Sequence, residues 1–281
     1  MTRARQQATV GRTAEHLGRA VRRVRMQAAA VAAALGLAVA GAPSAAALVH
    51  GSPAVAGVEA NSVVSIAVPN SALGLNRCTG TLVSSQWVMT AAHCVRNAAL
   101  PIGHVKVGAG DQARRIPIAG WRVAPTGDVA LMHLAVDSGV SEFPAIERRQ
   151  AFSDAVISSA VYGRSPLGDG AGREVSTATA SAAMCPASYS RCALGDSVLA
   201  HIELPTALQE GDSGGPMFVN GKLAAIFSGA VSFDKNVAPE STGYYLYTTT
   251  ASVAKWADDV MAKGVGLGID SPNFPRLPQY S

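Results

Sequence analysis

Glu210-Gly211-Asp212-Ser213-Gly214-Gly215-Pro216 is the stretch on which the reading of this chain turns. A serine stands there among small residues, with an acid before it and a proline closing the run. Glycine permits backbone bends that a Cβ forbids, so amide N–H groups can turn toward one point. A reaction that builds an oxyanion beside a serine hydroxyl needs such convergent donors, here the amides of Gly211 and Ser213. Glycine and serine also fill ordinary turns, so the heptapeptide alone leaves that plainer use open. A base and an orienting acid elsewhere in the chain separate the two readings.

The totals bound the search. The chain has 281 residues, enough for one large domain or two small ones. A hydrophobic fraction of 48% against 15% charged residues fits a packed globular protein. The net charge of +4 is unevenly placed: residues 1–47 hold seven arginines and one glutamate, whereas 48–281 hold 16 basic and 18 acidic side chains. A nucleic-acid binder keeps its basic footprint in the folded part, so nucleic acid is not an expected partner.

Residues 1–25 are arginine-rich, and Met26 to Ala42 form an uncharged Ala/Val/Leu run. Pro43-Ser44-Ala45-Ala46-Ala47 follows, with small residues where a signal peptidase inspects the chain. This layout predicts a secretory signal peptide over 1–47, cut after Ala47, and a secreted product free of the membrane once cut. The apolar run is short of the roughly 20 residues a span requires. Arg22-Arg23 leaves a twin-arginine route open, although the residues after it fit that pattern poorly. Cys78, Cys94, Cys185 and Cys192 all lie beyond the cut, where an oxidising compartment favours two bridges. Four cysteines allow three pairings; proximity favours Cys78–Cys94 and Cys185–Cys192. No Cys-x-x-Cys pair supports zinc, and the remaining histidines show no ligand spacing, so no metal or cofactor is expected.

Past residue 48 the chain is a series of short apolar runs bounded by Gly, Pro, Asn, Asp or Ser, such as Val63–Val68, Trp87–Met89, His104–Val107 and Val198–Ile202. That pattern predicts an antiparallel all-β protein. Met217-Phe218-Val219, Asn220-Gly221 and Leu223–Phe227 read as a hairpin, because Asn-Gly supplies the positive φ angles of a two-residue turn. Helical spacing of Val253, Trp256, Ala257 and Val260 predicts one C-terminal helix, placed at 251–264. Strand number and length predict two barrels, 48–150 and 151–250, with a surface tail at 265–281.

Thr90-Ala91-Ala92-His93-Cys94 supplies a candidate base, since imidazole titrates near neutrality and can take and return a proton. Gly127-Asp128-Val129-Ala130-Leu131 sets a carboxylate at the head of an apolar strand, where burial demands a partner. A histidine Nδ1–H is one such partner, and the pair fixes the tautomer that presents Nε2 to a serine. Alone, His93 reads as a structural histidine and Asp128 as the end of a turn; jointly with Ser213 they read as a nucleophilic site.

These three segments, in the order His93, Asp128, Ser213, resemble the signatures of trypsin/chymotrypsin-like serine proteases over roughly Leu48 to Lys263. The resemblance implies two six-stranded Greek-key β-barrels with the active site between them, and a secreted, monomeric endopeptidase acting on protein or peptide. It implies Ser213 as nucleophile, His93 as base and then acid, Asp128 as orienting group, and the Gly211 and Ser213 amides as oxyanion hole. Ser228 resembles the segment that pairs with substrate beside the specificity pocket. In that family a new N-terminus pairs with the aspartate before the nucleophile, so Leu48, freed by signal removal, is expected to pair with Asp212. The position that carries an aspartate in Arg/Lys-specific members is Ala207 here, and with Leu208 it implies an uncharged pocket floor. Gln209 stands where many relatives have a cysteine, so the loop departs from the family's pattern there. A protease-like fold that only binds, and a nonspecific esterase, are the competing readings.

Overall fold

The computed structural model describes residues 48–264, apart from 73, 97, 99–101, 109–111, 165–174, 187, 190, 191 and 193–195. The expected signal peptide (1–47) and the tail (265–281) lie outside the described residues. Thirteen strands dominate: β1 (Ser52–Pro53), β2 (Val63–Pro69), β3 (Leu75–Ser84), β4 (Trp87–Thr90), β5 (His104–Val107), β6 (Arg114–Val123) and β7 (Ala130–Leu134) come first. Then follow β8 (Ile157–Gly163), β9 (Ser176–Met184), β10 (Ser197–His201), β11 (Pro216–Val219), β12 (Lys222–Ala230) and β13 (Tyr244–Thr249). Three short helices complete the described set, α1 (Val58–Ser62), α2 (His93–Arg96) and α3 (Ala254–Lys263), with a 3₁₀ turn at Pro239–Ser241.

All strand pairings are antiparallel, and they close two barrels of six strands each. The first runs β2-β3-β4-β7-β6-β5 and returns to β2; the second runs β8-β9-β10-β13-β12-β11 and returns to β8. Closure removes the unpaired edges that would otherwise template aggregation. The two-residue β1 adds to the outside of the second barrel, Ser52 opposite Thr177, so the start of the described chain belongs with the later barrel.

Each barrel is filled by alternate side chains of its strands. Ile66, Leu82, Val88, Val105, Ile116, Trp121 and Met132 fill the first. Phe152, Val161, Val198, Met217, Phe227, Tyr245 and Tyr247 fill the second. Val253, just before α3, and Ala257 within it join a buried cluster that takes in Phe218, Leu223 and Ile226 of the second barrel as well as residues of the first, with Trp256 and Val260 half-buried beside it. The helix begins at Ala254 rather than at 251, because residues 251–253 form the turn that leaves β13, with the Val253 N–H bonded to the Thr250 carbonyl at 3.1 Å.

Two local devices matter for the site. The β11–β12 hairpin turns through Asn220 (φ 50°) and Gly221 (φ 74°), as the dipeptide requires. On β12 the register to β13 shifts between Phe227 and Gly229, which leaves Ser228 opposite no partner. A bulge of this kind re-aims one side chain and is common beside active sites.

Candidate active site

His93 opens α2 immediately after β4 and two fully buried alanines, Ala91 and Ala92. Its neighbour Cys94 is bridged to Cys78 on β3, with Cα atoms 6.2 Å apart. The strand fixes the backbone on one side of the imidazole and the disulfide fixes it on the other. Closing that loop also removes chain entropy from the unfolded state, about 3 kcal/mol for a loop of this length. Cys185 and Cys192 form the second disulfide, which begins directly after β9.

Asp128 lies in the turn between β6 and β7, where Gly127 takes φ +72° and a Cβ would meet Thr248 Cγ2 at 2.6 Å. The carboxylate holds His93 at two points. The imidazole Nδ1–H donates to Oδ2 at 2.7 Å, and the His93 main-chain N–H donates to Oδ1 at 2.9 Å. Burial alone pushes the Asp128 carboxyl up, but the His93 ring, its charge, the His93 N–H and the Ser228 hydroxyl together hold it below the ordinary aspartate value. An ionised Asp128 therefore fixes the tautomer with the proton on Nδ1 and leaves Nε2 as the basic nitrogen. Thr248 completes the support: it accepts the Asp128 N–H at 3.3 Å, and its hydroxyl lies 3.4 Å from that of Ser228.

Ser213 is half-buried in a tight turn between Gly211 (φ +97°) and Gly214 (φ +82°). Its carbonyl accepts the N–H of Thr79 at 2.8 Å. A Cβ on Gly214 would stand 2.1 Å from Thr90 Oγ1 and 2.8 Å from Ala91 N, so only glycine lets this turn lie against the strand that leads to His93. The serine thus reaches the His93 edge of the first barrel through its main chain. Around it, the N–H groups of Asp212, Gly214 and Gly215 donate to Gln209, Phe227 and Asp212 carbonyls at 2.8–3.0 Å. Among the described residues, those of Gly211 and Ser213 have no acceptor. Two free donors one residue apart beside a serine hydroxyl are the arrangement an oxyanion needs.

Asp212 is fully buried, and its Oδ2 accepts from Gln209 N at 3.0 Å and from the Leu48 nitrogen at 3.2 Å. Leu48 is itself fully buried, and Val49 bridges to Ala207 through a 3.0 Å bond. Gly163 makes room: a Cβ there would sit 2.3 Å from Asp212 Oδ1. Ala207 is half-buried, whereas Leu208 is 2% exposed and packs in the second barrel's core with its N–H on the Tyr245 hydroxyl at 3.1 Å. Of the two residues expected to floor a pocket, Leu208 is therefore core.

Thr79, Thr248 and Tyr245 were not legible as site residues, because each acts on partners more than 30 residues away. Among the described residues Cys78, His93 and Cys94 cluster closely enough to ligate a metal, but the two sulfurs are joined in a disulfide and are not free ligands.

With two closed barrels, the clamped histidine and the glycine-flanked serine in view, residues 48–257 match the family described as Trypsin. The chain belongs to the trypsin family. This trypsin-family protein is a serine endopeptidase, a hydrolase. An uncharacterized peptidase of Corynebacterium glutamicum strain R is 24% identical over 199 residues, spanning 71% of this chain and 69% of the relative. Among solved structures, HL collagenase superposes with a TM-score of 0.60 at 18% identity, covering 76% of this chain and 98% of that one. Human heparin binding protein gives 0.60 at 18%, covering 78% and 98%. A scabies mite inactivated protease paralogue gives 0.56 at 16%, covering 76% and 100%. These structures show the shared fold. An inactivated paralogue among them means that the fold alone does not secure turnover, and the weight falls on the side chains of the site.

Proposed function

We propose that this trypsin-family chain is an exported, monomeric endopeptidase that cuts peptide bonds through Ser213, His93 and Asp128. The observation that carries this reading is the two-point bond between His93 and Asp128. It holds the ring at both its main chain and Nδ1, so that Nε2 is kept as a base. Ser213 Oγ attacks the scissile carbonyl carbon while His93 Nε2 takes the hydroxyl proton. The carbonyl oxygen becomes an oxyanion that accepts the Gly211 and Ser213 N–H groups. When the C–N bond breaks, His93 returns that proton to the leaving amine and an acyl-serine remains. A water then repeats the sequence, giving up its proton to His93, and the acid product departs as Ser213 recovers its own.

The half-buried, uncharged Ala207 favours a small or apolar side chain before the cut bond. A panel of peptides varied at that position is expected to show turnover after small and apolar residues and little after Arg or Lys. Cleavage confined to Arg or Lys would overturn the assignment of Ala207 to the pocket. Paired amide and ester substrates separate a peptidase from an esterase that merely shares the fold.

Export rests on the layout of residues 1–47 and on two disulfides, and the described residues include no helix long and apolar enough to cross a membrane. Signal removal then doubles as activation: the buried Leu48 nitrogen, already 3.2 Å from Asp212 Oδ2, becomes the ammonium that pairs with that carboxylate. N-terminal sequencing of the active secreted protein is expected to begin at Leu48. A stable active form starting elsewhere would sink that activation step.

A further inference from the structure

Gly211 has no Cβ and takes φ +97°, so rotation of its flanking peptides costs little and its N–H is free to swing away from an oxyanion. The turn's own main-chain hydrogen bonds do not hold it. What does is a residue of the opposite barrel. Thr79 on β3 donates its hydroxyl proton to the Gly211 carbonyl at 2.9 Å, and its main-chain N–H donates to the Ser213 carbonyl at 2.8 Å. One residue thereby fixes the 211–212 and 213–214 peptides, which flank the peptide carrying the Ser213 N–H, and the first of them anchors the Gly211 Cα from which the other donor extends. The direction of the hydroxyl is forced. The Arg164 main-chain N–H, 3.1 Å from Thr79 Oγ1, can only donate, so the oxygen accepts there and its single proton is left for Gly211. Thr79 is fully buried, which denies both partners a replacement from bulk water. Its branched Cβ also restricts χ1 and keeps the hydroxyl aimed.

We infer that Thr79 is a positioning residue that sets the oxyanion hole from across the barrel interface, a role that rests on Ser213 and Gly211 acting as proposed above. Thr79→Val keeps the shape and removes the hydroxyl. It is expected to lower kcat by about 10- to 100-fold, the cost of misplacing rather than deleting an oxyanion donor, with KM nearly unchanged. Affinity for a peptide aldehyde, whose adduct carries the oxyanion, is expected to fall by a similar factor. Thr79→Ser, which retains the donor, is expected to recover most of both.

Rates are referred to sites titrated by an organophosphate, so unfolded molecules drop out of the comparison. Thr79→Ala is read the same way and stands in should the valine variant not fold. A per-site kcat for the hydroxyl-free variants within about twofold of the parent would overturn the inference. So would a serine variant as impaired as the valine one, or a loss confined to the thermal midpoint. If the parent itself takes no label at Ser213, the nucleophile assignment fails first, and that result is distinct from any of these.

Discussion

Ser213→Ala is expected to leave a folded protein whose kcat on peptide substrates falls by about 10⁶-fold. The substitution deletes the attacking oxygen and little volume. The bonds that hold this turn against the first barrel are main-chain: Thr79 N–H to the Ser213 carbonyl and Gly214 N–H to the Phe227 carbonyl, at 2.8 and 2.9 Å. They survive the change, as does the close fit of Gly214 against Thr90 and Ala91. Thermal unfolding should therefore shift little while turnover collapses. A variant that keeps appreciable peptidase activity would place the nucleophile elsewhere.

Asp128→Asn is expected to cost about 10⁴-fold in kcat with the fold preserved. The reason lies in the second contact of the clamp. The His93 main-chain N–H can only donate, so it selects the carbonyl oxygen of the new amide and turns the amide NH₂ toward Nδ1. Nδ1 must then accept, the ring proton moves to Nε2, and the nitrogen proposed to take the Ser213 proton is no longer a base. The same carboxylate carries a stability signature with a defined sign. Its folded pKa is depressed, so its contribution is fully present above the unfolded aspartate value near 4 and is lost as the pH falls through the lower folded value. Urea unfolding of the parent and of Asp128→Asn should show a constant gap from about pH 5 to pH 8 that narrows below about pH 4. A gap that widens on acidification would mean the carboxyl is not held ionised by its partners.

Most of what could be read in the chain was local in sequence. Gly-Asp-Ser-Gly-Gly-Pro, Ala-Ala-His-Cys and Asp-Val-Ala-Leu each carry a backbone requirement beside a reactive side chain, and the structure sets the latter two in one two-point contact. The Asn-Gly turn and the apolar face of α3 were legible for the same reason: turn angles and the helical period are properties of a few neighbouring residues. Strands with atypical composition were not. β6 opens with two arginines and contains Pro117, and only the burial of Ile116 and Ile118 on alternate positions marks it. Apart from its last residue, Met184, β9 is built of Ser, Thr and Ala, and its inward Ala180 and Ala182 are too small to register as an apolar run. β8 runs straight through Ser158 and Ser159, a residue type that bounds the apolar runs elsewhere in this chain.

The supporting side chains of the site were hidden for a different reason. Thr79 meets Gly211 across 132 residues, and Thr248 meets Asp128 across 120. A threonine in a strand has ordinary β propensity, and nothing nearby in sequence distinguishes one that packs from one that orients a catalytic loop. Ser228 was legible beside the specificity pocket, but its hydrogen bond to Asp128 was not, because it follows from a bulge whose existence depends on register with β13. Such roles emerge from barrel closure, not from any short pattern.

The most direct measurement is to react the protein with an organophosphate and map the modified residue by mass spectrometry. A single adduct on Ser213, formed together with complete loss of peptidase activity and abolished by His93→Ala, is the expected result. An adduct on another residue, or full inhibition with Ser213 unmodified, would contradict a serine activated by the His93–Asp128 pair.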